Sequence, residues 1–311
     1  MSSSPHPPNA ETPAPSAAGG VRRRWSYAVL ALAFLFVLMP FFFWQATWFG
    51  RSLRDEQIDK NLADRGHPRK VQHALSQIAD RINARDRSGR SSARRWYPQV
   101  VALSSEAADE LRLTSAWVMG QDNTAPEFRQ ALMRLLADSH PMVRRNAALG
   151  LVRFGDNSGR SVILSMLRPF AVLAPRAGAL AQRLKIGDAV NPGTLLARIQ
   201  DGEHKFEVRS QVPGTLEVWL AGEGSRVAAG EALLLLAPSP EMVWEALRAL
   251  YLIGQAEDLA AIERYARAVV AGMPERVTRQ ASLTARAVRS RSPSALPPVP
   301  SRVNPSLQLS R

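Results

Sequence analysis

The chain has 311 residues, 46% of them hydrophobic, and a formal charge of +13. That length allows about two folded domains, and the absence of cysteine excludes a disulfide framework, a thiolate metal site and a cysteine nucleophile. The basic excess favours anionic lipid or acidic protein surfaces as neighbours; no aromatic-interleaved basic motif accompanies it, so we expect no nucleic-acid partner.

Residues 1–24 are rich in Ser, Pro and Ala, end in Arg22, Arg23 and Arg24, and read as a disordered tail. Residues 25–49 form the next predicted element. Tyr27 to Trp44 carry no charged side chain, and Trp25 and Trp48 stand at the two edges. A stretch of this length can span a hydrocarbon core about 30 Å thick, with the tryptophans in the interfacial belts. Gln45-Ala46-Thr47-Trp48 supplies no small-x-small cleavage site, so we expect an uncleaved anchor. Arg22 to Arg24 argue for a cytoplasmic N-terminus, beside anionic lipid, and a periplasmic body. Arg51, Arg54 and Lys60 pull the other way, which leaves a cytoplasm-facing body as the alternative.

Residues 52–168 are predicted to be helical. Leu53, Ile58 and Leu62 mark one helix, and Val71, Leu75, Ile78 and Ile82 mark a second. Asp64-Arg65-Gly66-His67-Pro68 punctuates them, and a basic stretch from Arg85 to Arg95 interrupts the pattern. Helices resume with Leu111, Ser115 and Val118, then Phe128, Leu132 and Leu135. The segment Asp138-Ser139-His140-Pro141-Met142-Val143-Arg144-Arg145-Asn146-Ala147-Ala148-Leu149-Gly150 follows. Its small alanines let neighbouring helices approach, and its Asp and Arg can bridge turns between stacked units.

Between residues 169 and 238 a motif is written twice. The first copy contains Ala174-Pro175-x-x-Gly178, then Gly187-Asp188-x-Val190-x-x-Gly193-x-Leu195; the second contains Val212-Pro213-Gly214, then Gly224-x-x-Val227-x-x-Gly230-x-x-Leu233. Gly178 and Gly214, and Gly193 and Gly230, are 36 and 37 residues apart. An internal repeat of this kind governs the fold. Gly187, Gly193, Gly224 and Gly230 are expected in tight turns, and Val190, Leu195, Val208, Val227 and Leu233 in a core. Residues 240–288 return to helical spacing, with Val243, Ala246, Leu247, Leu250, Leu259 and Ile262, and 289–311 read as a disordered basic tail.

The Asp138–Gly150 segment resembles the second half of a HEAT repeat, and the doubled glycine motif resembles the biotinyl/lipoyl barrel-sandwich domain, including its membrane-fusion-protein form. The resemblances imply a mainly α protein: an N-terminal transmembrane helix, then a HEAT-like solenoid interrupted by a small all-β barrel-sandwich domain. Carriers of this kind expose a modified lysine on the turn between the half-motifs. That turn falls near Glu203 here, in Asp201-Gly202-Glu203-His204-Lys205, and Lys205 lacks the flanking Asp or Met of a modification site. Membrane-fusion proteins place a long helical hairpin between the half-motifs, for which the few residues between Ile199 and Phe206 leave no room.

Catalytic patterns are absent from the sequence. The histidines at 6, 67, 73, 140 and 204 form no compact ligand motif, and neither a phosphate loop nor a nucleophile elbow occurs. Asp55-Glu56 and Glu257-Asp258 read as helix-start carboxylates that complement the helix dipole. We therefore expect a non-enzymatic membrane-anchored scaffold or adaptor of a bacterial inner-membrane assembly, for transport or secretion, with other envelope proteins as partners. No cofactor, metal or small-molecule substrate is expected. The candidate contacts are Arg144 and Arg145 on the helices, Glu203, His204 and Lys205 on the turn, and Trp219 on a strand expected to be exposed. A lipoylated or biotinylated carrier, modified at Lys205, is the rival.

Overall fold

A computed structural model of the protein describes residues 34–36, 39, 52–84, 91–270 and 272–291. Contacts divide the chain into Met1–Arg54 and Asp55–Arg311. In the first unit Phe34, Leu35, Phe36 and Met39 are helical, with exposed side chains. Most of the expected span at 25–49, the expected tail at 1–24 and the expected tail from 292 on lie outside the described residues; Arg289, Ser290 and Arg291, expected in the basic tail, instead end a helix. Among the described residues no helix is long and apolar enough to cross a membrane.

The second unit begins with paired helices. The apolar spacing of the sequence turns into buried faces: α1 (Asp55–Ala63) buries Ile58 and Leu62, and α2 (Pro68–Asn83) buries Val71, Leu75, Ile78 and Ile82. A 3-10 turn, Arg94–Trp96, then leads into α3 (Tyr97–Leu103). Within the basic stretch that breaks the helical pattern, Arg95 pairs with Asp55 and Asp59, and the fully buried Trp96 donates to Asp59 at 2.6 Å. There follow α4 (Asp109–Met119), α5 (Pro126–Leu135), α6 (Pro141–Arg153) and the short α7 (Arg160–Ser165). Helices α5 and α6 start with proline at a first-turn position, where no amide hydrogen bond is lost. Gly120 and Gly150 bring the ends of α4 and α6 close: a β-carbon on Gly120 would stand 3.1 Å from the Gly150 α-carbon.

A recurrent polar rung ties these helices together. Asp122, Asp138 and Asp156 each accept the backbone N–H two residues on, which caps the next turn. The second carboxylate oxygen of each accepts from a side chain 25 to 27 residues earlier: Tyr97 at 2.7 Å, Arg112 at 2.7 Å and Arg129 at 2.8 Å. As expected of this Asp, Asp138 bridges neighbouring units, and its partner is Arg112 of α4. Arg144 turns back to the carbonyls of Asp138 and Ser139, at 2.7 and 2.8 Å.

Eight strands follow: β1 (Phe170–Leu173), β2 (Gly178–Gln182), β3 (Ala189–Val190), β4 (Leu195–Asp201), β5 (His204–Arg209), β6 (Gly214–Trp219), β7 (Arg226–Val227) and β8 (Ala232–Pro238). They make two four-stranded sheets, ordered β1-β8-β6-β3 and β5-β4-β2-β7, with every pairing antiparallel. The sequence repeat explains the two orders. Exchanging each strand for its equivalent in the other copy (β1 with β5, β2 with β6, β3 with β7, β4 with β8) converts one order into the other. Each copy of the motif thus contributes strands to both sheets, so neither copy can bury its apolar face alone. Val190, Val208, Val227 and Leu233 are buried, and Leu195 is half-buried.

Two kinds of glycine build this unit. Gly187, Gly193, Gly224 and Gly230 have φ between 72° and 94°, a left-handed region that costs other residues about 1–2 kcal/mol. Gly178 and Gly214 instead permit close strand crossing. A β-carbon there would stand 2.5 Å from the Gln200 carbonyl oxygen and 2.4 Å from that of Ala237, which are equivalent positions in the two copies.

The chain enters at Phe170 and leaves at Pro238. These ends lie side by side because β1 pairs with β8, Phe170 opposite Leu236. Three helices complete the unit: α8 (Pro240–Ile253), α9 (Leu259–Ala266) and α10 (Glu275–Arg291). Ser239 caps α8 by accepting from the Met242 N–H at 3.3 Å, and α8 packs against α6, α7 and α10. The rung pattern resumes here: Arg160 of α7 reaches Asp258 at 2.6 and 2.8 Å. Their separation of 98 residues falls to 29 when the 69 residues from Phe170 to Pro238 are left out, close to the interval of the earlier rungs.

Candidate functional site

Helices α4, α6 and α8 present one stripe each to a shared groove of about 680 Å³. From α4 come Trp117 and the following Gln121; from α6, Met142, Arg145, Asn146, Leu149 and Arg153; from α8, Glu245, Arg248, Ala249 and Leu252. These residues recur every three or four positions, which places them on one face of each helix. Helix α6 is the floor, since both α4 and α8 pack on it. Trp117 and Leu252 are 44% and 61% exposed, large apolar side chains left open on opposite walls.

The polar groups of the groove are unevenly used. Arg145 is ion-paired to Glu245 across the α6–α8 contact, and its Nη1 lies 3.6 Å from the Met142 sulfur. Arg153 donates to the Gln121 side-chain oxygen at 2.9 Å. The Arg248 guanidinium lies 4.6 Å from the Trp244 ring centre, a cation–π contact. Among the described residues neither Arg153 nor Arg248 has a carboxylate partner.

The electrostatic work of the rungs lies outside this groove. Burial alone would raise the Asp138 carboxyl, but hydrogen bonds from Arg112 and the His140 N–H outweigh it and hold the group below the usual carboxylate range. Asp156 is likewise held low, first by the Ser158 hydroxyl and N–H, then by Arg129. Burial pushes the His73 imidazole below its ordinary value, against a smaller opposing pull from Asp80. Asp138 and Asp156 accept backbone N–H groups at turns, and none of the three groups lines the groove. Among the described residues no cluster of His, Asp or Glu could hold a metal ion.

The expected contact residues fall in three separate places. Glu203, His204 and Lys205 share the β4–β5 hairpin. Asp201 pairs with His204, Gly202 adopts φ 59°, and Gly202 and Glu203 form the tip. Lys205 is therefore on strand β5, opposite Gln200, and not on the turn. In the other copy the equivalent step is where Pro238 leaves for α8, so by the internal symmetry the hairpin sits at the opposite end of the sheets from the helical junction. Beside it the Arg176 guanidinium lies 4.4 Å from the Phe206 ring centre.

The remaining expectations need correction. Trp219 is half-buried; its ring packs on the core and its indole N–H donates to the Leu184 carbonyl at 3.3 Å, so it is not an exposed contact. Arg144 is spent on backbone carbonyls. Arg145 does line the groove, but as half of an ion pair. Trp117, Arg153, Arg248 and Leu252 escaped the sequence reading. An exposed tryptophan inside a helical pattern was the one available signal, and it is indistinguishable from core until the helices are stacked.

Residues 98–174 match the family model of HEAT repeats, a segment that runs from α3 to the end of β1. No curated protein matches this chain.

Proposed function

We propose that this protein is a non-enzymatic, membrane-anchored adaptor that binds other proteins of a bacterial envelope assembly, in transport or secretion. One observation carries the reading: a single face of three packed helices forms an open groove lined by exposed apolar side chains and by two arginines that have no carboxylate partner among the described residues. Repeat stacks of this kind build extended binding surfaces. The apolar stretch at 25–49 would hold the body at a membrane, and Arg22 to Arg24 would sit at anionic headgroups.

In this reading the two-sheet unit is a biotinyl/lipoyl-type barrel-sandwich domain used as a rigid module. The hairpin observation favours that over the carrier: its tip is Gly202–Glu203, and Lys205 lies along a strand, where a modifying ligase would meet it away from the turn.

Reporters fused after Arg291, one active only in the periplasm and one only in the cytoplasm, test the placement. The adaptor as proposed predicts the periplasmic signal. A cytoplasmic signal would replace it with a scaffold on the inner face, and loss of the protein from membranes would remove the anchor.

A further inference from the structure

We infer that the groove between α4, α6 and α8 takes an acidic segment of a partner protein, anchored by apolar side chains at its two ends. The inference rests on the adaptor reading and adds the chemistry of the partner. It starts from charge. The charged residues lining the groove are Arg145, Arg153, Glu245 and Arg248. Arg145 and Glu245 cancel each other in their ion pair. That leaves Arg153 and Arg248, both exposed, on the floor and one wall. A guanidinium is a planar fork suited to bidentate recognition of carboxylate, and bonds to an amide oxygen or an aromatic face leave most of that fork unused.

The apolar side chains set the second requirement. Trp117 on one wall and Leu252 on the other line the same groove as the cations. A ligand made only of charge would leave both exposed, whereas a peptide with carboxylates between apolar side chains satisfies all four residues at once. Tryptophan and arginine are the side chains on which protein interfaces concentrate their binding energy. A nucleic-acid strand fits less well. Its affinity comes from many phosphate contacts; this groove offers two unneutralised cations and places Glu245 beside them.

The test uses the full chain in detergent and a phage-displayed library of random 12-residue peptides. Enriched peptides should carry Asp or Glu next to Leu or an aromatic residue. A synthetic peptide of the enriched sequence should bind at least tenfold more weakly to Arg153→Glu/Arg248→Glu and to Trp117→Ala. Replacing its acids by lysine should restore binding to the charge-reversed variant, an outcome that misfolding cannot mimic. An enriched sequence without acids, unchanged binding by the charge-reversed variant, displacement by single-stranded RNA in place of peptide, or no enrichment would each overturn the inference. The adaptor reading is separable. A photo-crosslinking residue at Leu252 that captures proteins in cells keeps the adaptor even if the acidic segment is refuted, and its failure to capture any removes both.

Discussion

Arg160 and Asp258 are 98 residues apart in the chain, yet two nitrogens of one guanidinium lie 2.8 and 2.6 Å from the two oxygens of one carboxylate. The carboxylate side chain is 1% exposed and its partner 24%. The pair joins α7, before the sheets, to the turn before α9, after them. It explains how a β-unit can interrupt a stack of helices without ending it: β1 and β8 return the chain to the place it left, and the next rung closes across the gap.

Removing Arg160 leaves the 1%-exposed Asp258 carboxylate without its ion-pair partner, which costs about 3–5 kcal/mol, whereas removing Asp258 leaves Arg160 partly exposed and still paired with Glu257, which costs less. Arg160→Ala should lower the urea midpoint of the full chain markedly and Asp258→Ala by less, and the double variant should cost much less than the sum. Independent, additive effects would show that the rung does not couple the two helical segments.

The pH dependence should have two windows. Asp138 and Asp156 have folded-state values below the ordinary one. Their contribution is complete above the unfolded carboxylate value and is lost as pH falls below about 4. His73 is also lowered, so the unfolded chain protonates first, and stability declines as pH falls below about 6.5. Urea midpoints from pH 8 to 3 would show both declines. His73→Leu should flatten the upper window alone, and Asp138→Asn should reduce the slope of the lower one.

Gly178 and Gly214 should tolerate alanine less well than the turn glycines. An added β-carbon meets backbone at 2.5 and 2.4 Å, an overpacking of about 1–3 kcal/mol, whereas at Gly193 it meets nothing within 4 Å and only the left-handed conformation is penalised. Hydrogen exchange should show Gly178→Ala and Gly214→Ala loosening residues 170–238 more than Gly193→Ala does. Equal loosening by all three would contradict the crossing role.

Intact-mass measurement on protein from cells that lipoylate and biotinylate their carriers should give the unmodified chain. A lipoyl or biotin increment on Lys205 would revive the carrier role despite the position of that lysine on β5.

The sequence made some of this architecture legible and concealed the rest for physical reasons. The doubled glycine spacing exposed the repeat, because positive φ at Gly187, Gly193, Gly224 and Gly230 is a local requirement that other residues meet poorly. The buried stripe of α2 was readable because helical periodicity is local too. Asp258 was read as a helix-start carboxylate, since its partner is contributed by a segment on the far side of the sheets. Trp219 looked like an exposed strand residue because alternation cannot reveal that its ring packs on the core and its indole N–H reaches the Leu184 carbonyl. The groove was invisible for a related reason: Trp117, Arg153 and Leu252 come together only through the stacking of three helices.

The most direct test of the adaptor account is photo-crosslinking in cells with the reactive residue placed at Trp117 or Leu252, compared with Arg286 on α10, outside the groove. The account predicts discrete adducts with a small set of membrane-associated proteins from the two groove positions, lost in Arg153→Glu/Arg248→Glu, and none of them from Arg286. Adducts that are equally abundant from all three positions, or absent from the groove, would contradict it.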